Sequence, residues 1–230
     1  MERIGVWGCI CNQVPKPVYG PRVRQGDLFL DGDAVEVFDL PDADLRLHRC
    51  FLGVAEADLL FAALRDETEW EQETAVLFGR EVLAPRLTAW HGDAEASYVY
   101  SGVRHDPLPW TSALRDVRGR LSDETDHEFN SVLLNLYRDG FDSVSWHADD
   151  EPELGPAPVI ASISLGAPRV FQMKHKQRSD ISRVDIQLEH GSLLMMAGDC
   201  QRCWMHQVPK RKGRNAPGPR INLTFRSIAR

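Results

Sequence analysis

Near its end the chain reads Arg220-Ile221-Asn222-Leu223-Thr224-Phe225-Arg226, a strict alternation of polar and apolar side chains over residues 220–226. Because successive side chains of a β-strand point to opposite faces, the polar residues share one face and the apolar residues the other. An ordinary amphipathic strand at the surface would have the same pattern. If instead the polar face points into the protein, Arg220 and Arg226 need buried anionic partners. A small dicarboxylate would serve, since arginine binds carboxylates through paired hydrogen bonds.

Short runs of β-type residues precede this strand from about residue 131 onward, and turn residues such as Gly140 and Gly166 separate them. Several short strands in succession predict a β-sandwich or jelly roll. The predicted strands are Ser131–Tyr137, Val159–Leu165, Val170–Lys174, Val184–Leu188, Ser192–Met196 and Ile221–Phe225.

Two helices are predicted before these strands, at residues 55–67 and from about residue 110 to 121. The apolar positions that define the first are Leu59, Leu60, Ala63 and Leu64, and those that define the second are Trp110, Leu114, Val117 and Leu121. The predicted fold class is therefore α+β but mainly β: a double-stranded β-helix (jelly roll) core with supporting helices in the N-terminal half.

The bulk composition is that of an ordinary globular protein, with 230 residues, 43% of them hydrophobic and 27% charged. That length suits one domain with a substantial core. The chain has no apolar run near the roughly 20 residues of a membrane helix, and its first residues lack the pattern of a signal peptide. We therefore expect a cytoplasmic protein, in which its odd number of cysteines, 5, would not form a disulfide framework.

The charge of the chain is distributed unevenly. Residues 159–230 carry 13 Lys/Arg and 4 Asp/Glu, a net charge of +9, whereas residues 1–158 carry 14 and 30, a net charge of −16. One basic face could therefore contact phosphates although the whole chain is at −7. An unevenly charged but merely solvated surface would give the same composition.

A metal site is suggested by His147 and Asp149, which are two residues apart and would lie on the same face of a strand. An imidazole and a carboxylate are two of the three ligands of a 2-His-1-carboxylate iron site. The third ligand could be His175, His190 or His206. His175 lies in a basic run that disfavours a cation, and His206 lies between the last two apolar strands, but the strand pattern does not separate it from His190.

The strand Ser131–Tyr137 supplies a second row of polar groups, because Asn135 and Tyr137 share one face of it. Together with the polar face of the last strand they form a candidate anion-binding set. The set consists of Asn135, Tyr137, Arg220, Asn222 and Arg226. A three-ligand iron site beside an arginine-lined dicarboxylate pocket points to 2-oxoglutarate chemistry.

At these residues the chain resembles the AlkB family of nucleic-acid dealkylating dioxygenases. The matching segments, in the family's order and with similar gaps, are residues 135–140, 147–151, 160–166, 190–196, 204–206 and 220–226. The resemblance is to the DNA-repair subgroup, whose members share the Asp-Asp-Glu found here at residues 149–151. It implies that Fe(II) is bound by His147, Asp149 and His206, and that 2-oxoglutarate is bound by the anion-binding set.

The resemblance also implies a substrate and a reaction. The reaction would be the oxidative demethylation of bases such as 1-methyladenine and 3-methylcytosine in DNA, with RNA as a further candidate, consuming O₂ and releasing formaldehyde. The substrate-binding residues implied are Trp90, Tyr98 and Tyr100 in a nucleotide-recognition lid at about residues 86–104, and Glu151. The dioxygenase domain would span residues 51–230, with the jelly roll at about residues 130–227, and residues 1–50 would form an extension of unknown role.

A basic loop ahead of the last strand is a candidate for binding the nucleic-acid backbone, although basic residues also serve solubility. Its basic residues are Lys210, Arg211, Lys212 and Arg214. We expect the protein to be a monomer.

Two other functions compete with base demethylation. A 2-oxoglutarate-dependent hydroxylase or demethylase of a protein or small molecule would keep the metal and cosubstrate residues without needing the lid or the basic loop. A non-catalytic nucleic-acid-binding module could use Zn²⁺ held by Cys9, Cys11, Cys200 and Cys203. Alternatively, these cysteines bind no metal and are free thiols.

Overall fold

The chain is described in a computed structural model. The structure describes residues 21–22, 35–77, 80–100 and 103–229, and it describes side chains within 35–74, 81–97 and 106–229. Within these residues no helix is both long and apolar enough to span a bilayer.

Strands outnumber helices throughout the described chain. The strands are β1 (Pro21–Arg22), β2 (Val35–Phe38), β3 (Asp44–His48), β4 (Thr74–Leu77), β5 (Arg80–Leu83), β6 (Leu87–Gly92), β7 (Tyr98–Tyr100), β8 (Val103–His105), β9 (Ser131–Tyr137), β10 (Val144–His147), β11 (Ile160–Gly166), β12 (Arg169–His175), β13 (Val184–Leu188), β14 (Ser192–Ala197), β15 (Trp204–Val208) and β16 (Arg220–Arg226). The helices are α1 (Val54–Glu67), α2 (Ser112–Thr125) and α3 (Cys200–Cys203).

Two antiparallel sheets form the core of the fold. The main sheet has eight strands in the order β1-β2-β3-β14-β11-β16-β9-β6, and the minor sheet has four in the order β10-β15-β12-β13. Apolar residues of both sheets, among them Leu194 and Phe171, form one buried cluster between them. This is the predicted jelly-roll arrangement, and the six predicted strands coincide with β9, β11, β12, β13, β14 and β16 to within a residue or so.

The two long helices cover the outer face of the main sheet, where they share a second apolar cluster with it. Helix α2 begins after Thr111, whose hydroxyl accepts a hydrogen bond from the Leu114 backbone N–H at 3.2 Å. The prediction for α1 was partly wrong about its buried side. Leu60 and Leu64 are buried, but Leu59 is 74% exposed and Ala57 is buried in its place.

The main sheet includes residues on both sides of the predicted boundaries. Strands β2 and β3 lie within the predicted extension, yet β3 pairs with β14 over five residues of the main sheet. Likewise β6 lies in the predicted lid but is the edge strand next to β9. Of the predicted lid, β7 and β8 form a separate two-stranded sheet. The division into an extension and a domain stays a prediction.

Sharp turns connect neighbouring strands at the end of the main sheet. Gly166 ends β11 with a φ of 85°, in the left-handed region that glycine adopts without strain. A Cβ atom there would lie 2.5 Å from the Pro219 carbonyl oxygen. The close approach lets β16 start directly beside the end of β11, where Arg220 pairs with Gly166.

Candidate metal and cosubstrate site

Three potential metal ligands come together at the open edge of the minor sheet. His147 ends β10 and lies opposite His206 of β15, and Asp149 follows two residues after His147. Their ligand atoms all lie within 4.8 Å of one another. The Nε2 atoms of both histidines are 4.0 Å from Asp149 carboxylate oxygens. Two imidazoles and a carboxylate on one side of a small space are the donor set of a facial iron triad.

The two histidines are held with Nε2 toward that space. His147 Nδ1–H donates to the Ser145 carbonyl oxygen at 2.8 Å, which leaves Nε2 of the neutral ring as the ligating atom. The ring of His206 stacks on Phe171 with centroids 5.0 Å apart. Burial lowers the pKa of His206 to about 4, although Asp149 acts to raise it. His206 is therefore neutral near pH 7, the form in which imidazole binds metals.

Asp149 is buried and stays ionised because of its neighbours. Burial by itself would raise the pKa of Asp149, but the positive charge of Arg226 and its hydrogen bond to the carboxylate outweigh burial and lower the pKa. Arg226 Nη2 donates to Asp149 Oδ1 at 2.8 Å. The Asp149 backbone N–H donates to Gln201 Oε1 at 3.0 Å, which fixes the position of the loop.

The two other candidate histidines lie away from this triad. His190 Nδ1 accepts a hydrogen bond from the Gly166 backbone N–H at 2.8 Å, and its Nε2 is 3.2 Å from Asp58. His175 Nδ1 accepts from two backbone N–H groups, so its Nε2 carries the proton and faces Asp42 at 3.3 Å. Of the three candidates, the geometry selects His206.

A cavity extends from the triad between the two sheets to Arg220. Arg220 is fully buried, and among its guanidinium nitrogen atoms only Nη2 donates a hydrogen bond within the described part of the chain, to the Ser164 hydroxyl at 2.9 Å. The Tyr137 ring lies 5.2 Å from its guanidinium carbon. Burial lowers the pKa of Arg220 to about 10, which leaves it charged at neutral pH. A buried cation with two unpartnered N–H-bearing atoms is costly unless an anion binds there.

The remaining residues of the predicted anion-binding set line the same cavity, but their hydrogen bonds differ. The Asn222 amide nitrogen donates to the Ser162 hydroxyl and the Ile163 carbonyl oxygen, which uses both of its N–H groups. Asn222 therefore braces β11 against β16. Asn135 Oδ1 accepts from Arg86 Nε at 2.8 Å.

Three polar residues that line or brace this cavity were not among the predicted site residues. Arg86 precedes β6 and belongs to no motif, so its approach to Asn135, 49 residues away, is visible only in the fold. Ser162 and Ser164 are different, because they alternate with apolar residues along β11. The same alternation that places the polar side chains of β16 on one face predicts that these two serines lie on the cavity face of β11.

The predicted substrate residues lie at several distances from the cavity. Trp90 of β6 pairs with Leu133, so it lies on the same sheet face as Asn135, but it is half-buried and not part of the cavity wall. Glu151 is exposed, two residues after Asp149. Tyr98 and Tyr100 lie on β7, and their side chains are outside the described residues.

The predicted basic loop is exposed between β15 and β16 at all four of its basic positions, Lys210, Arg211, Lys212 and Arg214. The Arg211 backbone N–H donates to the Gly140 carbonyl oxygen at 2.7 Å, which joins the loop to the turn after β9. Cys200 and Cys203 lie in α3 as free thiols, and Cys9 and Cys11 lie outside the described residues.

The profile of the family described as 2OG-Fe(II) oxygenase superfamily matches residues 44–226. The chain belongs to this superfamily. The match begins at the first residue of β3 and ends at the last residue of β16, so it covers the oxygenase fold from the inner strands of the main sheet to Arg226.

Relatives place this oxygenase among the AlkB homologues. It is 43% identical over 190 residues to human alpha-ketoglutarate-dependent dioxygenase alkB homolog 3, covering 79% of this chain and 65% of that protein. It is 42% identical over 190 residues to mouse DNA oxidative demethylase ALKBH2, covering 79% of each. The chain thus spans just under two thirds of the length of the first of these relatives.

A solved structure shares the fold of this oxygenase. The structure of OsALKBH1 superposes with a TM-score of 0.52 at 17% sequence identity, covering 80% of this chain and 96% of that one. At that identity the likeness shows the fold alone.

The side chains of this oxygenase fit Fe(II) and 2-oxoglutarate, the two groups in the name of its superfamily. Two imidazoles and an ionised, buried carboxylate suit Fe(II). The unpartnered guanidinium atoms of Arg220, at the other end of the same cavity, suit a carboxylate of 2-oxoglutarate.

Proposed function

We propose that this chain is an Fe(II)- and 2-oxoglutarate-dependent dioxygenase that removes methyl and other alkyl groups from nitrogen atoms of nucleic-acid bases, chiefly in DNA. The observation that carries the proposal is the pairing of a three-ligand site with a buried arginine that lacks an anion, at two places in one cavity. Bases such as 1-methyladenine and 3-methylcytosine are the expected substrates, and removal of the methyl group would repair the base.

His147, Asp149 and His206 would hold the iron. Arg220, with Tyr137 against its guanidinium, would bind the distal carboxylate of 2-oxoglutarate, and Asn135 would line the space between. With O₂, iron and 2-oxoglutarate together supply an oxidant able to hydroxylate an N-methyl group, yielding succinate, CO₂ and, after loss from the base, formaldehyde.

Other residues of the chain would position the iron ligands and shield the site from water. Arg226 holds Asp149 ionised and in place through the 2.8 Å hydrogen bond between them. Phe171 and Met196 line the cavity with apolar surface and limit the access of water. Arg86 closes the cavity beside Asn135, where its Nε donates to the amide oxygen.

The substrate would approach on the side of His147. The side chain of His147 is 38% exposed, whereas those of Asp149 and His206 are each 5% exposed, so His147 offers the face against which a base can stack. A base within a duplex cannot reach this depth and would have to be extruded. We propose that Trp90, Tyr98, Tyr100 and Glu151 contribute to holding it.

The names of the relatives support DNA as the nucleic acid, since ALKBH2 from mouse and human is named a DNA oxidative demethylase. The basic loop at residues 210–214 is exposed and would contact phosphates. RNA is the further substrate class, and we expect the protein to act as a monomer.

The test is a repair assay on oligonucleotides that carry 1-methyladenine or 3-methylcytosine. The protein is loaded anaerobically with Fe(II), then mixed with 2-oxoglutarate and air, and the methyl mass and formaldehyde are measured. We expect the methyl group to be lost only in the complete mixture. Omitting 2-oxoglutarate should abolish the loss.

The matched variants are Asp149→Asn and Asp123→Asn. The first removes the carboxylate charge from the triad and should reduce turnover by ~100-fold or more, since an amide oxygen is a much weaker iron ligand and no longer forms an ion pair with Arg226. The second removes an exposed carboxylate from α2 and should leave turnover unchanged. Full activity of Asp149→Asn would refute the triad. Succinate formation without repair would redirect the search to proteins and small molecules as substrates.

A further inference from the structure

A second cavity, of about 230 Å³, lies on the opposite side of the main sheet from the triad. It is bounded by the C-terminal end of α1, the N-terminal end of α2 and His91 of β6. His91 pairs with Val132, which belongs to the apolar cluster on the outer face of the sheet. The cavity is thus separated from Asn135 and the cosubstrate site by the thickness of the sheet.

His91 presents a buried hydrogen-bond acceptor without a donor. Its side chain is 94% buried, since its exposed fraction is 6%. Nδ1–H donates to the Pro109 carbonyl oxygen at 2.7 Å, so Nε2 of the neutral ring is an acceptor. Nε2 is buried and has no partner among the described residues. The same feature, a buried nitrogen left without a partner beside a cavity, marks Arg220 at the cosubstrate site.

The wall around His91 attracts positive charge. Glu67 and Glu69 line it, and neither lysine nor arginine occurs among its described lining residues. Helix α1 ends at Glu67, so the negative end of the helix dipole also faces this region. A ligand that donates hydrogen bonds and carries positive charge would satisfy both the acceptor and the carboxylates.

The rest of the cavity and its rim are apolar. Leu64 and Ala113 line the wall, and Leu108 is part of both the wall and the surface, with 39% of it exposed. The exposed Leu59 lies one helical turn before Ala63, another lining residue, and therefore on the same side of α1. An alkyl stem would fit the wall, and apolar residues of a partner would cover Leu59 and Leu108.

We propose that this cavity binds a lysine or arginine side chain of a partner protein. The ammonium or guanidinium group donates to His91 Nε2 and pairs with Glu67 and Glu69, while its stem packs on Leu64. Nucleic acid is the poorer candidate because its phosphates would meet the two carboxylates. The surface is independent of the catalytic site, from which the sheet separates it.

The test uses protein labelled with ¹⁵N in its histidines and two matched ligands, N-acetyl-arginine methylamide and N-acetyl-citrulline methylamide. Citrulline replaces the guanidinium group with a neutral urea of nearly the same shape. We expect the arginine ligand to shift the His91 Nε2 resonance saturably, with a dissociation constant of roughly a millimolar. Citrulline should bind roughly tenfold more weakly or not at all. His91→Gln assigns the resonance by its disappearance.

Two variants locate the binding. Glu67→Gln combined with Glu69→Gln should abolish the shift, while Glu95→Gln, an exposed carboxylate outside the cavity, should keep it. Equal binding of citrulline, or retention of binding in the double variant, would overturn the proposal. Binding of free agmatine but not of the capped arginine would overturn its assignment to a protein partner.

A separate readout distinguishes this proposal from the demethylase. The double Glu variant should repair methylated oligonucleotides at the wild-type rate, because its positions lie across the sheet from the triad. Loss of repair in that variant would refute the independence of the two sites. Binding of arginine by a protein that lacks repair activity would leave this proposal standing and count only against the demethylase.

Discussion

Both faces of β16 are largely buried, and yet they contribute to the protein in opposite ways. On the outer face Leu223 is 0% exposed and packs against apolar neighbours under the helices. On the inner face Arg220 is 1% exposed, and its guanidinium group has a single hydrogen-bond partner among the described residues. Burial of the leucine stabilises the fold, whereas burial of the guanidinium costs free energy until an anion arrives. Burial alone therefore does not distinguish a core residue from a site residue. What distinguishes them is whether the buried polar atoms have hydrogen-bond partners.

Arg220→Met should have the largest effect and should separate activity from stability. In the proposed complex it would remove two charge-assisted hydrogen bonds to 2-oxoglutarate, each worth ~1.5–3 kcal/mol, so kcat/KM for 2-oxoglutarate should fall by roughly 100-fold or more. Without ligand, the free energy of unfolding should stay the same or rise, because an apolar side chain replaces a buried cation that lacks an anionic partner. Turnover at varied 2-oxoglutarate and urea unfolding of the ligand-free protein measure the two quantities.

Arg65→Met is the control for that variant, since Arg65 is an exposed residue of α1 paired with Asp66. It should change neither quantity appreciably. A marked loss of stability in Arg220→Met would mean that the guanidinium already has a compensating partner in the ligand-free protein, and the contrast between the two faces would fail.

Leu223→Ala tests the outer face, and its expected effect falls on stability. Truncating a fully buried leucine leaves a cavity and should lower the free energy of unfolding by about 2–5 kcal/mol. The KM for 2-oxoglutarate, measured at a temperature where the variant is folded, should stay near that of the wild type. Urea unfolding and steady-state kinetics on the same preparation give both values. A large increase in KM with little loss of stability would reverse the assignment of the faces.

This contrast was only partly visible in the sequence. The alternation of β16 predicted both faces correctly, because a period of two is a local property of a strand. The local spacing of His147 and Asp149, two residues apart, likewise indicated two candidate metal ligands. It could not choose His206, which meets His147 through the pairing of β10 with β15 across nearly 60 residues; the resemblance to the AlkB family made that choice.

The remaining errors have the same physical origin. Leu59 and Leu60 are neighbours in sequence but project about 100° apart on a helix, so a broad apolar stripe does not show which of them is buried. The side chains that surround Arg86 and His91 belong to strands and helices that are distant in the chain, so no local pattern indicates them. Asn222 lies on the polar face that the alternation predicted. Its amide donates both N–H groups to β11, at Ser162 and the Ile163 carbonyl oxygen, and no pattern within β16 indicates these partners.

Ser164→Ala should have the smallest effect, because it changes only the hydrogen bond that holds the Arg220 guanidinium group. The Ser164 hydroxyl accepts, at 2.9 Å, the one hydrogen bond that the Arg220 guanidinium group makes in the described chain. Its loss should raise the KM for 2-oxoglutarate by roughly 3- to 10-fold, in line with ~1 kcal/mol for one hydrogen bond, and leave kcat nearly unchanged. Ser192→Ala is the matched control, because Ser192 lies opposite Ser164 on β14 but its hydroxyl donates to the Glu189 carbonyl oxygen. If both variants raised KM equally, the effect would reflect general loosening of the sheet. A change in Ser164→Ala alone would show that the inner face orients its unsatisfied arginine before the ligand binds.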